Sequence, residues 1–137
     1  MTRPFLIDTC AALWIVAGEI KPATANILTV AYNKGLPTYV SPVTAWEIGI
    51  SARKGRFTSP YSPQRWMEIL MSAPNTFMAE LTVKILMESC FLSGLGTNDP
   101  SDRIIAATAR EFGYTVLTRD RALLDYGAQG HLSVLEC

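Results

Sequence analysis

Histidine is nearly missing from this sequence: His131 is the only one in 137 residues. A single imidazole excludes most zinc centres and gives no support to Ser-His or Cys-His nucleophilic catalysis. Cysteine is scarce as well. Cys10, Cys90 and Cys137 are odd in number and lack any metal-ligand spacing, so they read as unpaired thiols of a reducing cytoplasm. No GxxxxGK loop and no GxGxxG turn is present, which removes the two common phosphate cradles. No apolar run approaches the roughly 20 residues of a membrane span. The opening run Phe5-Leu6-Ile7 stops at Asp8 and is too short for a secretory signal. A surplus of charge is also lacking. Twelve basic side chains balance twelve acidic ones, for a formal net charge of zero. No global basic field therefore announces a nucleic-acid partner, although an acidic site can offset a basic rim.

What is there is a globular composition, 49% hydrophobic and 18% charged, in a length that fits a single domain spanning residues 1–137. Phe5-Leu6-Ile7 is continuously apolar, as in a strand covered on both faces. Helices are expected over about Cys10 to Ala17, stopped by Gly18, and over about Pro22 to Asn33. Pro37–Val40 reads as a second strand, and Pro42 to about Arg53 as a helix closed by the basic run Arg53-Lys54-Gly55-Arg56. A helix from Pro63 to about Ser72, a weaker strand at Thr76–Ala79 and a helix from about Thr82 to Leu92 follow. A helix from Pro100 to Phe112-Gly113, a strand at Thr115–Thr118, a short helix from Arg121 to about Tyr126 and an edge strand at Ser133–Leu135 complete the chain. Strands separated by helices imply an α/β, three-layer αβα domain with a central, mainly parallel sheet of about four or five strands.

The acids stand where such a sheet gathers function, at the carboxyl ends of its strands. Asp8 ends the first strand, and Asp120 follows Thr115–Thr118. Asp102 lies in the first turn of the helix that Asp99 caps and Pro100 opens. Ile105, Ala106 and Ala109 share its face, so that face turns inward. Glu47 shares a face with Val43, Trp46 and Ile50. Each acid has a plain structural alternative. Asp8, Asp102 and Asp120 can serve as helix caps or first-turn acids, and Glu47 can pair with Arg103 or Arg53. Those readings explain each acid separately but not their meeting at one rim. Clustered carboxylates must bind cations or hold protons. Without histidine or cysteine for company they favour a hard ion, Mg2+ or Mn2+.

With these pieces in order the sequence resembles the PIN-domain ribonucleases, of the kind found as VapC-type toxins in toxin–antitoxin systems. The resemblance rests on Leu6-Ile7-Asp8-Thr9, Ser41-Pro42-Val43-Thr44-Ala45-Trp46-Glu47-Ile48, Asp99-Pro100-Ser101-Asp102-Arg103 and Leu117-Thr118-Arg119-Asp120, and covers almost the whole chain. It implies that Asp8, Glu47, Asp102 and Asp120 bind one or two divalent cations and activate water against an RNA backbone. It further implies a homodimer and a co-encoded antitoxin that blocks the acids. Members of this subtype often carry a histidine before the Asp-Pro pair and a phenylalanine after it. Here Thr97-Asn98 and Ser101 stand in those places, which bears on substrate contacts and leaves the acids intact.

Thr9 and Thr118 are candidates to orient water or carboxylates. Arg103, Arg119 and Arg121 flank the acids and are candidates for RNA phosphates, as are Arg53, Lys54 and Arg56; solvated surface or helix-end charge is the competing reading. Trp14, Trp46 and Trp66 are expected mostly in the core. A DNA or structure-specific nuclease with the same metal chemistry and a catalytically idle binding module remain alternatives.

Overall fold

The computed structural model describes residues 3–137. The elements run β1 (Phe5–Ile7), α1 (Thr9–Ala17), α2 (Pro22–Asn33), β2 (Thr38–Val40), α3 (Pro42–Arg53), α4 (Pro63–Met71), β3 (Thr76–Met78), α5 (Val83–Ser89), α6 (Pro100–Phe112), β4 (Thr115–Thr118), α7 (Arg121–Ala128) and β5 (Ser133–Glu136). The strands form one five-stranded sheet in the order β3-β2-β1-β4-β5. Every pairing is parallel.

The sheet has a core on each face, and alternation along the strands explains both. Leu6 and Val116 pack with Ile105, Ala106, Ala109 and Leu123 on one side. Ile7 and Leu117 pack with Ala11, Ile48, Trp66 and Leu70 on the other. Side chains one residue apart point to opposite faces, so a strand covered on both sides has to be apolar throughout. Phe5, Leu6 and Ile7 are all fully buried, and each contributes roughly 1.5–3 kcal/mol by leaving water.

Local signals set the element ends. Asp8, Ser41, Ser62, Thr82, Asp99 and Asp120 each accept a backbone N–H at a helix start, which satisfies a donor the helix leaves free. α1 stops at Gly18 (φ 72°) and α6 at Gly113 (φ 74°), both in the left-handed region that suits glycine. β2 starts at Thr38 rather than Pro37, because the ladder needs an N–H and Thr38 gives its own to Asn75 O at 3.0 Å. α5 ends at Ser89, short of Leu92, where the chain turns to meet Arg103. α7 extends past Tyr126 to Ala128 and so includes Gly127. A Cβ on Gly127 would lie 2.3 Å from Val134 Cγ2. The helix continues through that glycine because α7 lies close against β5.

Trp66 is buried and Trp14 half-buried, as expected of core aromatics. Trp46 is not in the core: it is 54% exposed. The inward side of α3 is formed by Val43, Thr44 and Ile48. At about 100° per residue Trp46 lies roughly 60° around the helix from Val43 and roughly 160° from Thr44 and Ile48, beyond the edge of that stripe.

Candidate active site

Two of the acids, Asp8 and Asp120, are placed by the ends of parallel strands and the helices that follow. The register sets Ile7 beside Leu117, so Asp8 emerges next to Thr118. Asp8 N donates to Leu117 O at 3.2 Å. Its Oδ1 accepts from Ala11 N at 2.8 Å, and its Oδ2 accepts from the Thr118 hydroxyl at 2.5 Å. The same Thr118 oxygen accepts from Asp120 N at 2.9 Å. Asp120 Oδ2 accepts from Leu123 N at 3.0 Å. Asp8 and Asp120 are thus helix caps, and they also stand at the acidic rim; the two roles coexist because a carboxylate has two oxygens and about four lone-pair sites.

Glu47 is held by hydroxyls and not by a cation. The Thr9 hydroxyl donates a short hydrogen bond to Glu47 Oε1. Thr9 Oγ1 also lies 3.1 Å from Thr44 Oγ1. A hydroxyl has one proton, so Thr44 donates to Thr9 and Thr9 to Glu47. Neither Arg103 nor Arg53 forms an ion pair with Glu47. Among the described residues, the ion pairs are Arg65–Glu68, Lys84–Glu88, Lys84–Glu111 and Arg121–Asp125.

The charges are close enough to oppose one another's ionisation. Asp102 is pushed up to about 8, first by burial and then by the negative charges of Asp120, Asp99 and Asp8. Burial raises Asp8, against the hydrogen bonds from Thr118 and Ala11, and Asp120 adds to the rise. Burial also raises Glu47, against the Thr9 hydroxyl, with Asp99 and Asp8 adding repulsion and Ser101 relieving it. Burial and the same set of acids lift the Cys10 thiol to about 11, so it stays a thiol at neutral pH. The structure therefore brings Asp8, Glu47, Asp102 and Asp120 into one electrostatic neighbourhood, with Asp99 beside them. Asp99 caps α6 through Asp102 N at 3.0 Å.

Among the described residues no ion pair includes Asp8, Glu47, Asp102 or Asp120, and clustered carboxylates without such partners hold protons or bind a cation. Among the described residues, no three His, Cys, Asp or Glu side chains stand as a preformed metal-holding group.

The arginines divide by what they touch. Arg103 donates to Ser89 O at 2.8 Å, Thr97 O at 2.7 Å and Leu92 O at 3.1 Å. Its guanidinium fastens the segment 89–97 in front of Asp99. Arg119 donates to Cys137 O at 2.7 Å and lies 3.8 Å over the Trp14 ring. Arg121 is exposed, with Asp125 at 3.9 Å. Thr44 and Ser101 escaped the sequence reading. Both are buried, and the available signal was spacing: Thr44 lies three residues before Glu47, on its helix face.

A five-stranded parallel sheet with a core on each face and acids gathered at its strand ends defines a class of α/β domain. Residues 5–129 match the PIN domain family, and the chain belongs to that family. In fold it is similar to VapBC2 from Rickettsia felis, solved bound to a DNA fragment from their promoter, with a TM-score of 0.68, 15% identity and coverage of 96% of this chain and 97% of that chain. It is also similar to FitAB bound to an IR36 DNA fragment (TM-score 0.55, 18% identity, 96% and 94% covered). A third similar structure is a domain of a functionally unknown protein from Methanocaldococcus jannaschii (TM-score 0.57, 19% identity, 98% and 91% covered). No curated protein matches the chain in sequence.

Proposed function

We propose that this PIN domain is a Mg2+- or Mn2+-dependent endoribonuclease and the toxin of a toxin–antitoxin pair. The observation that carries the reading is the acidic rim: burial and three neighbouring negative charges push Asp102 up to about 8, and no cationic side chain pairs with it. Asp8 and Asp102 would hold the ion, with Glu47 and Asp120 holding it through water or accepting a proton. Such an ion, when bound, lowers the pKa of its water and offsets charge on a phosphodiester.

The chain's own groups do the positioning. Thr118 fixes one oxygen of Asp8 and the backbone of Asp120 together. The Thr44–Thr9 relay aims Glu47, and Ser101 favours its charged form. Arg103 holds the loop that presents Asp99 and Asp102. Arg119 and Arg121 offer positive charge beside Asp120, against the phosphates that the acids repel.

The sequence motifs and the fold shared with VapBC2 and FitAB support a co-encoded antitoxin partner, and we place the protein in the cytoplasm as a homodimer. Val83, Met87 and Phe91 stand exposed on and after α5 and offer an apolar surface for such an assembly. Among the described residues no helix is long and apolar enough to cross a membrane.

The test is cleavage of matched single-stranded RNA and DNA with Mg2+, Mn2+ or EDTA. RNA is cut only with a metal, and Asp8→Asn or Asp102→Asn lowers the rate at least about 100-fold, the scale of losing a preorganised electrostatic contact. Full activity in either variant removes the assignment. Preferential cutting of DNA replaces the substrate and keeps the site.

A further inference from the structure

The packing of α3 turns Trp46 outward, and its surroundings give that exposed ring a use. Trp46 borders a cleft of about 270 Å³ that also takes in Lys54, Arg56, Asp99 and Ser101. On the other side of α3 lies a larger hollow of about 660 Å³, with Trp14 and Tyr61 in its wall. Glu47, Ser51 and Arg56 line both. The two hollows therefore adjoin along a shared wall that includes Glu47, and together they form a candidate groove. Trp46 is 54% exposed and Tyr61 43%, so each half offers an aromatic surface to solvent. Lys54 and Arg56 are exposed and form no ion pair among the described residues.

We infer that this groove is a track for a single nucleic-acid strand, with Trp46 and Tyr61 each receiving an unstacked base on either side of Glu47 and with Lys54 and Arg56 taking the intervening phosphates. The inference rests on the nuclease reading for its direction across the acids, and it adds Trp46 and Tyr61, which that reading does not use. The occupant follows from the chemistry. An aromatic face with a cation beside it is the repeating unit of single-strand binding, in which bases stack and the backbone finds positive charge. A duplex hides its base faces and offers nothing for these rings to stack on. Phosphates drawn toward Glu47 and Asp99 meet repulsion, and Arg56, common to both halves, is placed to offset it.

Binding is read by fluorescence anisotropy of labelled eight-nucleotide single-stranded RNA and DNA, with the full chain in calcium and again in EDTA. Trp46→Ala and Tyr61→Ala each weaken binding on the order of tenfold, the scale of one lost base stack. Trp46→Phe restores most of the affinity. Arg56→Gln flattens the dependence on salt by about one phosphate contact. Melting curves and light scattering accompany each variant.

Unchanged affinity in Trp46→Ala overturns the track while wild-type cleavage leaves the nuclease reading standing. Wild-type binding with the Trp46→Ala loss but no cleavage under any metal does the reverse. A wild type that binds neither oligonucleotide overturns the track. So does a Trp46→Ala chain that passes from dimer to monomer with its RNA affinity intact, because the ring is then a contact between copies.

Discussion

Thr118 donates a 2.5 Å hydrogen bond to Asp8, across 110 residues of sequence. The same oxygen accepts from the backbone of Asp120, so one buried hydroxyl joins two acids of the rim. Thr118→Val keeps the shape and removes both bonds. A hydrogen bond to a charged group contributes about 1.5–3 kcal/mol, so a loss of stability on that scale is expected in denaturant titration. Because the Thr118 bond holds the Asp8 carboxyl down, the variant's acid limb of cleavage moves to higher pH. An unmoved acid limb would show that Asp8 does not titrate in the reaction.

Asp102 makes stability fall with rising pH when no divalent ion is bound. Its carboxyl is raised from 3.8 to about 8, so the folded chain holds a proton that the unfolded chain has released across that window. Stability from this group is complete below the unfolded value and is lost as pH rises through the folded one. In EDTA the Tm declines between about pH 4 and 8, and Asp102→Asn flattens the decline. Adding Mn2+ at pH 7.5 raises the wild-type Tm by linkage and moves the Asp102→Asn variant less. Equal shifts in both proteins would place the ion elsewhere.

Arg103 is expected to matter for folding more than for RNA. Its three carbonyl partners lie in 89–97, and Arg103→Ala leaves them without a donor at about 1–3 kcal/mol for each one that stays buried. Arg103→Lys restores charge but not the fork. Hydrogen exchange across 89–97 should therefore speed up in both variants. A variant that keeps native exchange there and loses only RNA affinity would return Arg103 to the substrate.

Gly127→Ala tests the contact between α7 and β5. The added Cβ meets Val134 Cγ2 at 2.3 Å and Leu132 O at 3.2 Å, an overpacking that costs about 1–3 kcal/mol. Val134→Ala removes the side-chain half of the clash, so the double variant recovers part of the loss and the pair is non-additive. Strict additivity would mean that the backbone contact alone sets the cost.

The sequence by itself determined the order of elements, the all-apolar β1, the strand Thr115–Thr118, the caps at Asp8, Asp99 and Asp120, and the PIN family through motifs that bracket its acids. These are local properties: period, cap chemistry and strand-end position are written in neighbouring residues. The tertiary structure alone decided the rest. It turned Trp46 outward, because Val43, Thr44 and Ile48 already fill the inward face of α3. It gave Glu47 hydroxyl partners instead of an arginine, and it committed Arg103 to backbone carbonyls. It also set how strongly the acids act on one another, since that depends on distances closed between segments far apart in the chain, in a medium whose polarity the surrounding fold controls.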